Sequence, residues 1–429
     1  MTNGAGRHSL RFRDATDFRK GPRRCLVVSD VVRLFLRDPD EHASMQLVAA
    51  ARRGDLSDRQ VAALAVGLAG SGLQLARDVT NVDVASTGGP TSLSTLLCPL
   101  FLRARGLRVP TLGVPGRPAG GVDVLQTIPG FNATIDLVTA RSVLSRSGYV
   151  HLLADERWAP LDRELFSFRQ RVRAQAVPEL VIASILAKKL AAGVVGAGLE
   201  VRIAPHGNFG RDRSTARLNA LRYKSVAELV DVKAVALLTD GSRPYQPYVG
   251  RGEALVALEE VIAGQAEGWL AGHVALCAAM ADAVAAASGA GTGAQICAEA
   301  LRRAHEELLA GHGADISSFT QRVEAVRSEP RITVNAPSSG WVEYDLRRLR
   351  DLLVRRQRDE AERSGVTVPD PAGVILGARP GIRVERDEPL MFIRVPEGEK
   401  ALAAELGRCA AVSEAGSSSG GRDNGYEAV

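Results

Sequence analysis

The sequence predicts an α/β protein of two or three domains. Helical periodicity at the start gives way to short apolar runs between glycine and proline turns, then returns before the alternation resumes. With 429 residues and 45% hydrophobic content, the chain has the apolar mass for a large core and the length to divide. Aromatic residues make up only 4%, so aliphatic side chains must build that core.

Residues 26–78 carry helical spacing, in Asp30-Val31-Val32-Arg33-Leu34-Phe35-Leu36 and again after Ser57 or Asp58, either of which is a candidate N-cap. From 79 to 155, runs such as Leu107-Arg108-Val109-Pro110-Thr111-Leu112 read as strands, with a helix near 93–104 between them. Helix returns over 160–193. Alternation then resumes through Val201, the run 232–238 and a helix after Gly252. The Ala-rich region 264–312 is helical, broken at Ser288-Gly289-Ala290-Gly291-Thr292-Gly293. No strand precedes those glycines, so they mark an interhelix turn rather than a nucleotide loop. Arg331-Ile332-Thr333-Val334, Gly340-Trp341-Val342-Glu343-Tyr344 and the run 390–395 are candidate strands. Residues 1–22 and 413–429 lack periodicity and are expected to be disordered.

Composition narrows the class. The net charge of +5 comes from scattered arginines rather than a run or stripe, which gives nucleic-acid binding little support. Cys25, Cys98, Cys277, Cys297 and Cys409 are odd in number and far apart, which suggests reduced, mostly buried thiols and neither a disulfide framework nor a zinc site. No run reaches the roughly 18 apolar residues of a membrane span, and the polar, Arg-rich start lacks the apolar centre of a secretory signal. The expectation is a cytoplasmic protein with no membrane partner.

The densest chemical signal lies at Ile182-Ala183-Ser184-Ile185-Leu186-Ala187-Lys188-Lys189-Leu190. Its apolar residues follow helical spacing, so Ser184 and Lys188 project from one face. A hydroxyl and an ammonium there, with the guanidinium of Arg169 upstream, can bind the carbonyl and ring N–H edge of a planar pyrimidine. They can also hold the anion left when a glycosidic bond breaks. The plainer alternative is an amphipathic helix with a solvated lysine pair.

This helix resembles the thymidine and pyrimidine-nucleoside phosphorylase family, and the likeness extends over roughly residues 25–405. Trp158-Ala159-Pro160-Leu161-Asp162 with Arg169 beyond it looks like the family's base-binding arginine segment. Asp83-Val84-Ala85-Ser86-Thr87-Gly88-Gly89 resembles its glycine-rich phosphate loop. Ile128-Pro129-Gly130-Phe131, Leu237-Leu238-Thr239-Asp240 and Gly252-Glu253-Ala254-Leu255 resemble further landmarks.

The resemblance implies a discontinuous all-helical domain (23–80 and 158–194, base side and dimerisation) facing a large mixed-sheet α/β domain (81–157 and 195–328, phosphate side) across a cleft. It also implies a C-terminal αβ module over 329–412 and assembly as a homodimer. The implied activity is that of a pentosyltransferase, a phosphorolysis in which phosphate attacks C1′ of a uridine- or thymidine-type nucleoside and gives free base and sugar 1-phosphate. Arg169 and Lys188 would be catalytic. Arg169, Ser184 and Lys188 would bind the base, and Ser86, Thr87, Gly88, Gly89, Ser94, Thr95 and Arg117 the phosphate. Inorganic phosphate is the co-substrate, and neither a metal nor an organic cofactor is implied.

Departures from the family pattern fall on the phosphate side. Where the family has Lys-His, this chain has Val84 and Ala85, so a cation and an imidazole are gone. Losing a charge-assisted hydrogen bond ordinarily weakens anion binding by about one or two orders of magnitude. The family's Ser-Gly-Arg loop is replaced by 113–121, in which Arg117 is either a substitute cation or a surface arginine in a turn. The family's Asp-Val-Lys loop becomes Glu200-Val201-Arg202, followed by Pro205 and by His206, either an acid–base group or a loop histidine. These replacements near the sugar and phosphate point to an unusual, 5′-modified glycosyl group. They leave two alternatives beside phosphorolysis: a nucleoside hydrolase or glycosyl transferase, and a silent pyrimidine-binding homologue.

Overall fold

A computed structural model describes residues 30–87, 89, 91–116, 118–204, 209–289, 296–414 and 426–429. Three helices open it: α1 (Asp30–Arg37), α2 (Glu41–Arg52) and α3 (Asp58–Gly70). There follow β1 (Val82–Ser86), α4 (Ser94–Ala104), β2 (Val109–Gly113), α5 (Gly121–Leu125), α6 (Leu137–Ser147) and β3 (Tyr149–Leu153), then α7 (Pro160–Arg171) and α8 (Pro178–Ala191). The chain continues through β4 (Gly196–Ile203), α9 (Arg213–Leu229), β5 (Lys233–Asp240), β6 (Tyr248–Val249), α10 (Arg251–Ile262), α11 (Gly268–Ser288), α12 (Ala298–Gly311) and α13 (Ile316–Ser328). It ends with β7 (Ile332–Asn335), β8 (Gly340–Tyr344), α14 (Leu346–Ser364), β9 (Gly373–Leu376), β10 (Arg383–Val384), β11 (Pro389–Arg394), α15 (Lys400–Gly407), β12 (Ala410–Ser413) and β13 (Tyr426–Ala428). This is the expected α/β class.

Local chemistry sets the boundaries. Ser57 is the N-cap of α3, its N–H donating to Gln60 Oε1 at 2.7 Å, and Asp40 caps α2 through the N–H of Ala43 at 2.7 Å. The single helical run expected over 160–193 is two helices. Pro178 has no N–H to continue a helix and opens α8 at its first position, while Arg173, at φ 53, turns the chain between them.

Strands β1, β4 and β5 pair in parallel in the order β1-β4-β5, and a parallel bridge from Asn81 to Arg108 ties in the β2–β3 pair. The C-terminal residues correct one expectation. Instead of a structureless tail throughout, Tyr426–Ala428 adds an antiparallel strand to the free edge of β5, and Ser413 closes β12. Residues 1–22 and 415–425 lie outside the described residues.

Helices from separated stretches meet where α3 packs on α8. Their core continues without a break into α9 and one face of β4 and β5, through Leu64, Leu186, Leu199 and Tyr223. A second core lies on the other face of the sheet among α4, α10, α11, α12 and α13, and a third fills the C-terminal module. By length and composition α11 would also cross a membrane. It is the one such helix among the described residues, and it packs against α4, β4 and β5 with His273 buried. Cys98, Cys277 and Cys409 are buried thiols and Cys297 an exposed one; Cys25 lies outside the described residues.

Candidate active site

Helices α7 and α8 carry the residues expected to bind the base. Residues seven apart on a helix share a face after two turns, so Asp162 and Arg169 both look inward from α7. On α8, Ser184 and Lys188 are one turn apart. Lys188 Nζ donates to Ser184 Oγ at 2.9 Å and to Asp162 Oδ2 at 2.5 Å, while Asp162 Oδ1 is buried with no partner among the described residues. The Lys188 side chain is 15% exposed and that of Lys189 6%. The solvated lysine pair is therefore not what the fold contains. The adjacent amines diverge, and Lys189 Nζ reaches Asp83 Oδ2 on β1 at 2.5 Å.

The structure brings Ser184 and Lys188 together and ties Arg169 to the backbone. Its Nε, Nη1 and Nη2 donate to the backbone carbonyls of Ala174, Leu180 and Gln175 at 3.2, 3.1 and 2.8 Å. The guanidinium thus clamps the α7–α8 turn, within the field of the same Asp162 carboxylate that holds Lys188. Burial lowers its pKa to about 10 against the opposing field of Asp162, and it stays charged at neutral pH.

The hydroxyls expected to bind phosphate have partners within the protein. Thr87 Oγ1 accepts from the N–H of Arg202 at 3.0 Å, and Thr95 Oγ1 accepts from the N–H of Gly121 at 3.1 Å. Ser94 Oγ donates to Glu200 Oε2 at 2.6 Å, and Ser92 Oγ stands 3.2 Å from the same oxygen. Ser86 is half-buried at the end of β1. Gly89, at φ 150, lies so close to Arg202 that a Cβ there would stand 2.1 Å from Nη1. Gly88, Arg117 and His206 lie outside the described residues.

Glu200 is the unexpected centre of these contacts. Burial alone would raise its pKa, but Arg202 and the Ser94 hydroxyl outweigh that and hold it at about 2, an anion at any physiological pH. Charge retention at 200 and 202, same-face positions of a strand, was the only sequence signal for the pair. Asp162 was visible as part of a motif but not as the partner of Lys188. A groove of about 390 Å³, bordered by Asp40, Glu41, Arg163 and Arg171, opens on the outer face of α7, away from these groups.

No family model matches the chain. Among curated proteins it is similar to the thymidine phosphorylase of Agrobacterium fabrum, 28% identical over 370 residues covering 81% of this chain and 82% of the relative. The thymidine phosphorylase of Sinorhizobium fredii is 26% identical over 333 residues, 75% and 76% of the two chains. Among solved structures, the anthranilate phosphoribosyltransferases of Thermus thermophilus and Saccharomyces cerevisiae align over 70% of this chain and 100% and 91% of theirs. Both have TM-score 0.45, at 17% and 15% identity. The sequence relatives place the chain with the pentosyltransferases. Its likeness to thymidine phosphorylases runs along three quarters of its length or more in these two relatives.

Proposed function

We propose that the protein is a pyrimidine-nucleoside phosphorylase acting on a uridine- or thymidine-type nucleoside, with a 5′-modified sugar as the favoured glycosyl group. One oxygen of phosphate bonds to C1′ while the C1′–N bond breaks and its electron pair passes to the base. The products are sugar 1-phosphate and, after protonation, the free pyrimidine. The observation that carries this reading is the Ser184–Lys188 pair, with its ammonium fixed between a hydroxyl and the Asp162 carboxylate, in a chain related to thymidine phosphorylases along three quarters of its length.

Lys188 stabilises negative charge growing on a base carbonyl oxygen, and Ser184 bonds the ring edge. Fixed donors of this kind supply charge stabilisation without reorganisation. Arg169, with three of its five N–H groups spent on carbonyls, keeps two for the base or for Asp162. Phosphate is the co-substrate, and these donors leave no step that calls for a metal or an organic cofactor. The reading includes a cytoplasmic location and a homodimer joined through the helical segments.

A second reading, transfer of the glycosyl group to water or another acceptor, is favoured by Val84, Ala85 and the engagement of Ser94 by Glu200. Incubation with uridine, thymidine and 5′-altered uridines, with and without phosphate, decides between them. Base release only with phosphate is expected. Release without phosphate supports the second reading, and binding without release a silent homologue.

A further inference from the structure

Arg202 has more hydrogen-bonding capacity than the fold uses. It is 4% exposed, its Nη2 donates to Glu200 Oε2 at 3.0 Å, and its Nε and Nη1 have no partner among the described residues. Charged donors left unmet away from water are strongly unfavourable, and an oxyanion is a strong acceptor for a guanidinium N–H.

The surroundings place that guanidinium. Nη1 lies directly against Gly89, three residues after β1, where a Cβ would stand 2.1 Å from it. The N–H of Arg202 is bonded to Thr87, the first residue after β1, and its Cζ stands 5.4 Å from the centre of the Tyr245 ring. Ser94, the first residue of α4, bonds the same Glu200 oxygen as Arg202, so the N-terminal end of a helix of 11 residues also faces the pair.

We propose that Arg202 is the anion-binding cation of this chain. Inorganic phosphate accepts from Nη1, on the side of the guanidinium that faces Gly89, while Glu200 holds Nη2 and fixes the plane of the guanidinium. The positive charge missing at Val84 and Ala85 is thereby supplied from β4. The identity of the anion rests on the phosphorolysis reading; the existence of an oxyanion site does not.

Calorimetric titration with inorganic phosphate, at matched ionic strength and without nucleoside, tests the site apart from turnover. The wild type binds phosphate. The double variant R202Q/E200Q, which removes both charges while keeping polar side chains of similar volume, is expected to lose about tenfold to a hundredfold in affinity, and R202K to fall between them. In the phosphate-dependent assay the KM for phosphate rises by the same factor, with the KM for nucleoside within about twofold. Unchanged phosphate affinity in R202Q/E200Q and in R202K overturns the proposal, as does a wild type that binds no phosphate. So does a loss of nucleoside affinity equal to the loss of phosphate affinity, which marks a structural role only. If the wild type binds phosphate through Arg202 yet releases no base, phosphorolysis falls and the anion site stands. If base release depends on phosphate but is indifferent to R202Q/E200Q, the reverse holds.

Discussion

Lys189 Nζ and Asp83 Oδ2 stand 2.5 Å apart in the interior, with the carboxylate fully buried and the amine 6% exposed. The contact pins α8 to β1, the strand that leads into the glycine turn, and Asp83 is held further by Thr111 Oγ1 at 2.9 Å and the N–H of Val84 at 2.7 Å. Its energetic weight lies in what remains when one member is removed. K189M strands a buried carboxylate and is expected to cost about 3–5 kcal/mol, whereas K189M/D83N recovers most of that loss. Urea unfolding of the two variants measures this. Equal losses in both would show that the ion pair is not what stabilises the contact.

Lys188 makes a different prediction from its neighbour because its partners belong to the proposed base site. K188M is expected to lower kcat/KM by about a hundredfold, the scale of one preorganised donor to developing charge, and S184A by about tenfold. D162N keeps a side chain of the same size but no longer anchors the ammonium. It should raise the KM for nucleoside several-fold and leave the KM for phosphate unchanged. Steady-state kinetics with each substrate varied separately reads all three. A D162N effect confined to phosphate would place Asp162 in the wrong site.

What the sequence made legible was periodic or local. The Ser57 cap, the helix near 93–104 and the strands around 332, 341 and 391 each follow from residues within a few positions of one another. Contacts between distant segments were not legible. Helical spacing runs across the α7–α8 break, and nothing near Arg169 says that its fork will meet the carbonyls of residues 174, 175 and 180. Adjacent lysines at 188 and 189 look alike until the fold supplies Asp162 to one and Asp83 to the other. Glu200 and Arg202 share a strand face by the two-residue period, but Ser94 reaches them from another element.

Tyr426–Ala428 was hidden for the same reason, since its pairing depends on an open edge of β5 rather than on its own pattern. Removing residues 426–429 uncovers that edge, taking away the pairing at Leu237–Thr239 and the bond from the N–H of Val429 to the carbonyl of Ala236 at 2.9 Å. Hydrogen exchange along β5 is expected to accelerate by about tenfold or more, and self-association to increase, as unpaired strand edges invite. E427Q should leave exchange nearly unchanged, because its partners Arg213 and Arg217 are well exposed and such pairs contribute little. Unaltered β5 protection in the truncated chain would rule out the strand.

His305 gives the pH prediction. It is buried on α12 with neither ring nitrogen partnered among the described residues, edge-on to Phe319 at 4.6 Å, and burial lowers its pKa from 6.5 to about 4. The unfolded chain therefore takes up the proton first as the medium becomes acid. Stability is intact above pH 6.5 and is lost as the pH falls toward 4, about 2 kcal/mol of it between pH 7.5 and 5 from this one group. Buried His151 and His312, lowered to about 3 and about 4, act in the same direction. H305L removes the titration together with two unmet nitrogens and keeps the apolar volume, at the loss of the ring contact. Urea unfolding at pH 7.5 and at pH 5 should show H305L as stable as the wild type at the higher pH and less sensitive to acid by about 2 kcal/mol. An identical acid loss in the two proteins would mean that His305 does not titrate across unfolding as its burial requires.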